Sequence, residues 1–154
     1  MKLNYFIIPI ITIFVATLGS YLTSQGMDWY KSINLPSWTP PGSVIGAVWT
    51  LIFILGTISA LIFFNKAEHN SLFNWIIIVF IINAFLNVFW SYLFFYLHLI
   101  SPAIFEAATL GASVVILIIL IWPISRLAAS LLIPYASWVM FATYLTYSVW
   151  IVNK

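Results

Sequence analysis

The sequence contains few side chains that could carry out acid–base, metal or nucleophilic chemistry. Its carboxylates are Asp28, Glu68 and Glu106, its histidines are His69 and His98, and it has no cysteine. No pair of these residues has the i, i+3 or i, i+4 spacing with which one helix presents two metal ligands. Glycine-rich phosphate loops and the GxSxG nucleophile elbow are also missing. We therefore expect no ordinary enzyme catalysis, no bound metal and no required cofactor.

Two of these side chains, His98 and Glu106, lie next to or within an apolar run and could have a function there. His98 could ligate a haem iron, but it follows the end of such a run, where an interfacial histidine is the simpler interpretation. Glu106 is the one acid inside a run, and an intramembrane carboxylate indicates a function by default. It also lies near the start of its run, where headgroups and the helix dipole would stabilise a purely structural acid. Both interpretations of Glu106 stay open.

Aromatic side chains are the strongest chemical signal, because they make up 19% of the chain and include eight tryptophans. Several fall at helical spacing beside small or amide side chains, so that each group shares one face of a helix. The three groups are Trp49, Phe53, Gly56 and Ala60; Asn83, Asn87, Trp90 and Phe94; and Pro134, Trp138, Phe141, Ala142 and Leu145. Turned inward, these faces would leave a slot for a flat apolar ligand. Alternatively, the rings only pack and the asparagines only join helices.

Membrane-spanning helices must position these side chains. The chain has 154 residues, of which 64% are hydrophobic and 5% are charged, whereas a soluble domain carries roughly 25% charged residues. Apolar runs of about 20 residues, enough to cross the hydrocarbon core, predict helices at about 3–24, 42–65, 72–97, 102–122 and 127–152. The runs lack the period-two alternation of barrel strands. We expect a single all-α domain over residues 1–154, forming an integral membrane bundle of five transmembrane helices.

One connection between the predicted helices is long. It runs from Gln25 to Pro41 and contains three prolines and two tryptophans. Such a segment is too apolar to be a mere spacer in water, because exposed rings would remain uncovered. We therefore expect it to fold back over the mouth of the bundle as a lid.

The net charge and a ridge of small residues indicate which partners to expect besides the lipid bilayer. The net charge is +2 and the basic residues form no run, so we expect no nucleic-acid binding. Ala103, Ala107 and Gly111 form a ridge of small residues at four-residue spacing. Such a ridge permits close helix contact, either within one chain or across a dimer.

The long connection and the last predicted helix carry motifs of a known family. The connection contains Leu35-Pro36-Ser37-Trp38-Thr39-Pro40-Pro41, and the last helix contains the segment PYASWVMFAT at 134–143. Between them, Asn87 precedes Trp90 by three residues. In these features, which extend over almost the whole chain, the sequence resembles the TspO/MBR family of translocator proteins and bacterial tryptophan-rich sensory proteins.

The resemblance implies a five-helix bundle in a bacterial cell membrane, commonly a homodimer, whose long first loop covers a pocket. Family members bind porphyrins such as protoporphyrin IX and other flat apolar ligands, and their proposed roles are those of receptor, transporter or sensor. The family's pocket positions correspond here to Tyr30, Trp38, Pro40, Trp49, Phe53, Asn87, Trp90, Trp138, Phe141 and Ala142. Two alternatives stay open: light- and oxygen-dependent porphyrin degradation through Trp49 and Trp138, and a structural membrane scaffold without a ligand.

Overall fold

The computed structural model describes residues 3–154, within which five helices are long and apolar enough to cross a membrane. The elements are α1 (Asn4–Gln25), α2 (Met27–Ser32), α3 (Gly42–Lys66), α4 (Ser71–Ser91) with a π-helical turn at Tyr92–Tyr96, α5 (Ile100–Ile121), α6 (Arg126–Ser130) and α7 (Ile133–Val152). The described range contains no strand. The predicted all-α bundle is confirmed, and the chain is a multi-pass integral membrane protein.

The spanning helices form a ring, in which neighbours follow the order α1, α3, α7, α5 and α4. Most of the contact between α3 and the last span is made by the short α6. α5 is the most buried helix, whereas α1 buries only Val15. Because lipid covers the outer faces, large apolar side chains such as Phe14 and Ile119 remain exposed on the isolated chain. This exposure is expected of a bundle that is solvated by hydrocarbon.

One half of the ring is filled by side chains. Phe63 of α3 stacks on Phe73 of α4 with ring centroids 5.3 Å apart, and Ile76 is completely buried beside them. Ser59 Oγ donates a hydrogen bond to the carbonyl oxygen of Ala128 at 2.7 Å, which joins α3 to α6. This packed half lies around the C-terminal end of α3, the N-terminal end of α4 and the C-terminal end of α5.

The ridge of small residues on α5 makes its contacts within the chain. Ala103 and Ala107 are 0% and 2% exposed. A Cβ atom at Gly111 would lie 3.4 Å from Val139 Cγ1 of α7, so the ridge lets α5 and α7 approach closely. The alternative in which it faces a second copy is therefore not the one adopted. The homodimer itself stays a prediction.

The last span differs from the continuous helix predicted at 127–152. It consists of α6 and α7, which are joined by a turn at Leu131 and Leu132. Pro134 explains the interruption, because it has no N–H to donate to the carbonyl of Ser130 and its ring would clash with that carbonyl. In α7 the proline lies in the first turn, where a missing donor costs no helical hydrogen bond.

The third span ends in a π-helical turn on which the start of α2 rests. The N–H of Leu97 donates to the carbonyl of Tyr92 at 2.9 Å, an i→i+5 bond typical of a π-helix. The chain then leaves the helix at His98, whose φ of 59° is left-handed. Gly26 lies against the backbone of Phe95, and a Cβ there would be 2.7 Å from the Phe95 carbonyl carbon. Only glycine fits this contact, which fixes the junction between α1 and α2.

Candidate functional site

The half of the ring opposite the packed core encloses a cavity of about 550 Å³. Its walls are the C-terminal part of α1, the first half of α3, the end of α4 with its π-helical turn, the start of α5 and the second half of α7. Met27 and Tyr30 of α2 lie at one end. All five spanning helices therefore contribute to a single interior space.

Eight of the predicted ligand-binding residues line this cavity. They are Tyr30, Trp49, Phe53, Asn87, Trp90, Trp138, Phe141 and Ala142. Trp38 and Pro40 are not among the lining residues. Trp38 lies behind the wall, with its ring centroid 5.9 Å from that of Phe141 and 5.5 Å from that of Tyr144. The structure brings the eight residues together, and their role in binding stays a prediction.

Indole rings stand on three of the walls. On α4, Trp90 stacks on Phe94 with centroids 5.0 Å apart and an angle of 9° between the planes. On α7, the rings of Trp138 and Phe141 lie 5.1 Å apart. Trp49 supplies the third indole from α3. These paired rings give the cavity flat apolar surfaces.

A chain of polar side chains leads from the cavity wall into the bundle. Asn87 Nδ2 donates to Tyr135 Oη at 2.8 Å, and Tyr135 Oη donates to Asn83 Oδ1 at 3.2 Å. Asn83 Nδ2 donates to Ser113 Oγ at 2.8 Å, and this hydroxyl donates to the carbonyl of Leu110 at 2.7 Å. The chain joins α4, α5 and α7. The chain uses one of the two N–H groups of Asn87, so the second N–H and the Oδ1 atom are the polar groups that this residue can present to the cavity.

Two indole N–H groups on the walls lack acceptors. Trp90 Nε1 and Trp138 Nε1 are buried, and neither has a hydrogen-bond partner among the described residues. Leaving a buried donor unpaired costs about 1–3 kcal/mol. Both nitrogens are inaccessible from the cavity, so the two tryptophans present ring faces to it and not their N–H groups.

The α2 end of the cavity is covered by aromatic packing. Tyr30 contacts the rings of Phe94 and Phe95 at centroid distances of 6.2 and 5.5 Å. Burial raises the pKa of the Tyr30 phenol above its ordinary value, so this group stays a neutral hydrogen-bond donor near neutral pH. Trp29 stacks on His98 at 4.3 Å. His98 therefore serves as an aromatic support for α2.

The segment after α2 is attached to the end of the last helix. The N–H of Asn34 donates to Asn153 Oδ1 at 2.9 Å, and Asn153 Nδ2 donates to the carbonyl of Asn34 at 2.7 Å. Together with the stacking of Trp38 on Tyr144, this pair keeps the connection close to α7. Its function as a lid stays a prediction.

Sequence reasoning missed the wall contributed by α1. The predicted pocket was based on aromatic residues at helical spacing, whereas this wall presents small and hydroxyl side chains. They are Ala16, Gly19, Ser20, Thr23 and Ser24. Their i, i+3, i+4 and i+7 spacing is a signal of one helix face, and it could have identified the wall.

The predicted inward faces extend beyond the cavity. Gly56, Ala60, Asn83 and Pro134 do not line it. Ala60 belongs instead to the buried core and Asn83 to the polar chain. The reason is geometric: a helical stripe runs the full length of a span, while the cavity occupies one half of the bundle.

Glu106 lies outside this site. It is 6% exposed, neither carboxylate oxygen has a hydrogen-bond partner among the described residues, and it is not a lining residue. The structure therefore gives it no place in the cavity wall. Within residues 3–154, no three carboxylate or histidine side chains lie together as a metal site would need.

Comparison of the sequence with known proteins identifies one matching family. The sequence profile of the TspO/MBR family matches residues 7–151. The chain is 31% identical to the tryptophan-rich protein TspO of Bacillus cereus, over 99% of each chain. It is 29% identical to the protein CrtK of Rhodobacter capsulatus, over 99% of this chain and 95% of that one. The human translocator protein is 29% identical over 84% of this chain and 78% of its own.

Proposed function

Because the chain belongs to the TspO/MBR family, we propose that it is a membrane-embedded binding protein, acting as receptor, transporter or sensor, for porphyrins such as protoporphyrin IX and other flat apolar ligands. One observation carries this proposal: the interior cavity has an indole ring on each of three walls. Flat rings stack favourably on planar π-systems. A planar ligand therefore matches these walls better than a bulky saturated one.

The size of the cavity supports a ligand of this class. Pockets for small organic ligands measure roughly 300–1,000 Å³ and are mainly apolar, with a few polar groups that set orientation. The cavity, at about 550 Å³, lies within that range. Its volume and its apolar walls suit a compact ring system that partitions into membranes.

Polar groups on the walls favour a ligand with both acceptors and donors at its edge. The hydroxyl groups of Ser20, Thr23 and Ser24 line the cavity and can both donate and accept hydrogen bonds. Asn87 also lines it and uses one of its two N–H groups on Tyr135, which leaves the second N–H and the Oδ1 atom for a ligand. Protoporphyrin IX combines pyrrole N–H groups with carboxylates on one flat ring.

A titration of purified protein with protoporphyrin IX tests the proposal. We expect saturable quenching of tryptophan fluorescence, and we expect Trp138→Ala to weaken binding at least about tenfold, because truncating a buried aromatic anchor costs about 2 kcal/mol or more. Trp75→Ala is the matched control, since this tryptophan is 61% exposed and does not line the cavity. Unchanged affinity in both Trp138→Ala and Trp49→Ala would locate the site elsewhere.

The same titration separates binding from a scaffold role. A structural scaffold would take up porphyrin only by partition into detergent, so the signal would rise without saturation. A fixed stoichiometry at saturation excludes that alternative.

A further inference from the structure

A second hollow lies on the outside of the ring, between α1 and α3. It measures about 310 Å³ and includes Thr12 and Ile13 of α1 and Ile54 and Thr57 of α3. Ile13 and Ile54 are 64% and 52% exposed, so this groove faces the hydrocarbon of the bilayer. Its surface is apolar apart from threonine hydroxyls, as expected for a surface that contacts lipid chains.

The outer groove and the inner cavity are adjacent. Ala16, Thr50 and Phe53 line both of them. These side chains therefore lie between the lipid-facing groove and the interior space at this seam. None of the three is charged, so an apolar molecule that passes between them loses no ionic hydration.

The seam between α1 and α3 is not closely packed. A Cβ atom placed at Gly42 or Gly46 of α3 would meet nothing within 4 Å. Small residues in membrane helices usually allow two backbones to approach closely, as Gly111 does against Val139 at 3.4 Å. The glycines of α3 that line the cavity leave open space instead.

α1 is also the least buried of the spanning helices. Among its described residues only Val15 is buried. Its side-chain contact with α3 joins Thr12 Oγ1 to Thr57 Oγ1 at 2.9 Å, and the single Thr57 hydroxyl hydrogen is shared between Thr12 and the carbonyl of Phe53 at 2.8 Å. The other end of α1 is fixed where Gly26 meets Phe95. The α2 end of α1 is therefore the more tightly packed of its two ends.

We propose that the seam between α1 and α3 is a lateral opening, through which a flat apolar ligand passes between the bilayer and the cavity. The inference rests on the proposed function, because it assumes that the cavity holds such a ligand. Met27 and Tyr30 of α2 line the other end of the cavity, and the attachment of Asn34 to Asn153 keeps the connection beside α7. A ligand dissolved in hydrocarbon would have to enter water to use that end, whereas the seam avoids this transfer.

A reversible cross-link tests the opening. The chain has no cysteine, so the double variant Thr12→Cys/Thr57→Cys can form a single disulfide. The two threonine oxygens lie 2.9 Å apart, which places two sulfur atoms within reach of the roughly 2.05 Å bond. Neither residue lines the inner cavity. The variant therefore joins α1 to α3 without occupying the binding space.

The measurement is the rate of tryptophan quenching after protoporphyrin IX is added to the phosphatidylcholine vesicles that contain the protein, so that ligand and protein share one bilayer. We expect oxidation of the double variant to slow association and dissociation at least about tenfold, and dithiothreitol to restore both rates. The dissociation constant should stay the same, because a barrier between two states does not alter their difference in free energy. Equal rates in the verified oxidised and reduced forms would overturn the opening while leaving saturable binding, and hence the proposed function, in place.

Two further variants give the same test without a disulfide. Thr57→Val removes the hydrogen bond to Thr12 at nearly constant shape, and we expect roughly threefold faster exchange, the effect of losing one average interhelical bond in a membrane. Asn153→Ala releases the connection and should leave exchange unchanged. The opposite pattern, with Asn153→Ala fast and Thr57→Val unchanged, would overturn the lateral route. If the unmodified chain shows no saturable binding, both proposals fail.

Discussion

Replacing Tyr135 by phenylalanine is the sharpest test of the polar chain behind the cavity. Its hydroxyl accepts from Asn87 and donates to Asn83, and the side chain is 7% exposed. Tyr135→Phe keeps the ring but removes both bonds. The carbonyl oxygen of the Asn83 amide is then left without a donor in a buried position.

The expected loss follows from the two bonds. An interhelical hydrogen bond in a membrane protein contributes about 0.6 kcal/mol on average and about 1.7 kcal/mol at most. Two such bonds give about 1–3 kcal/mol. Asn83 is 8% exposed, so water does not replace the lost donor, which favours the upper part of this range.

Equilibrium unfolding in mixed micelles with increasing dodecyl sulfate, followed by circular dichroism, measures the free energy of unfolding. Tyr144→Phe is the matched control, because Tyr144 lies on the same helix and is 61% exposed. We expect the control to stay within about 0.5 kcal/mol of the unmodified chain. If Tyr135→Phe also stays within that margin, the polar chain contributes nothing and the reasoning is refuted.

A double-mutant cycle with Asn83→Ala refines this result. The hydroxyl and the amide are in direct contact, so the two substitutions should not be additive. We expect a coupling of about 0.5–2 kcal/mol. Additive losses would mean that the two side chains stabilise the bundle independently.

Two other contacts give predictions of the same kind. Gly26→Ala should destabilise the chain by about 1–3 kcal/mol in the same unfolding assay, because the new Cβ collides with the backbone of Phe95. Gly56→Ala places a Cβ that meets nothing within 4 Å, so it should instead stabilise the chain by up to about 1 kcal/mol. A loss of stability in both variants would contradict this account. Asn153→Ala should speed hydrogen exchange at the Asn34 amide about fivefold or more, since one hydrogen bond contributes about 1 kcal/mol; unchanged exchange, measured by mass spectrometry, would show that the pair does not hold the connection.

Much of the fold follows from the apolar runs, because a spanning helix needs both length and the near absence of charge. What hydropathy cannot show is local backbone geometry. Pro134 divides the last span, yet the run stays apolar across the break, from Leu131 to Ile133. The π-helical turn at Tyr92–Tyr96 depends on tertiary contact with Gly26, which no local pattern encodes.

The cavity was predictable in part for a similar reason. Spacing identifies which side chains share a helix face, and this placed Trp49, Trp90 and Trp138 on inward faces. Spacing does not show how far along a helix the interior is hollow. The predicted inward face therefore includes Ala60, which belongs to the buried core. Trp38 lies on a segment without periodicity, and its position behind Phe141 depends on the path of the connection.

The packed half of the ring and the half that contains the cavity lie at opposite ends of the bundle along the membrane normal. Side chains such as Phe63, Ile76 and Leu117 hold the helices together at one end. At the other end some lining residues, such as Leu110 and Val139, also belong to the core, whereas Ser20 and Thr50 are exposed. Substitutions at these two exposed wall positions should therefore disturb the scaffold less than substitutions at Phe63 or Ile76.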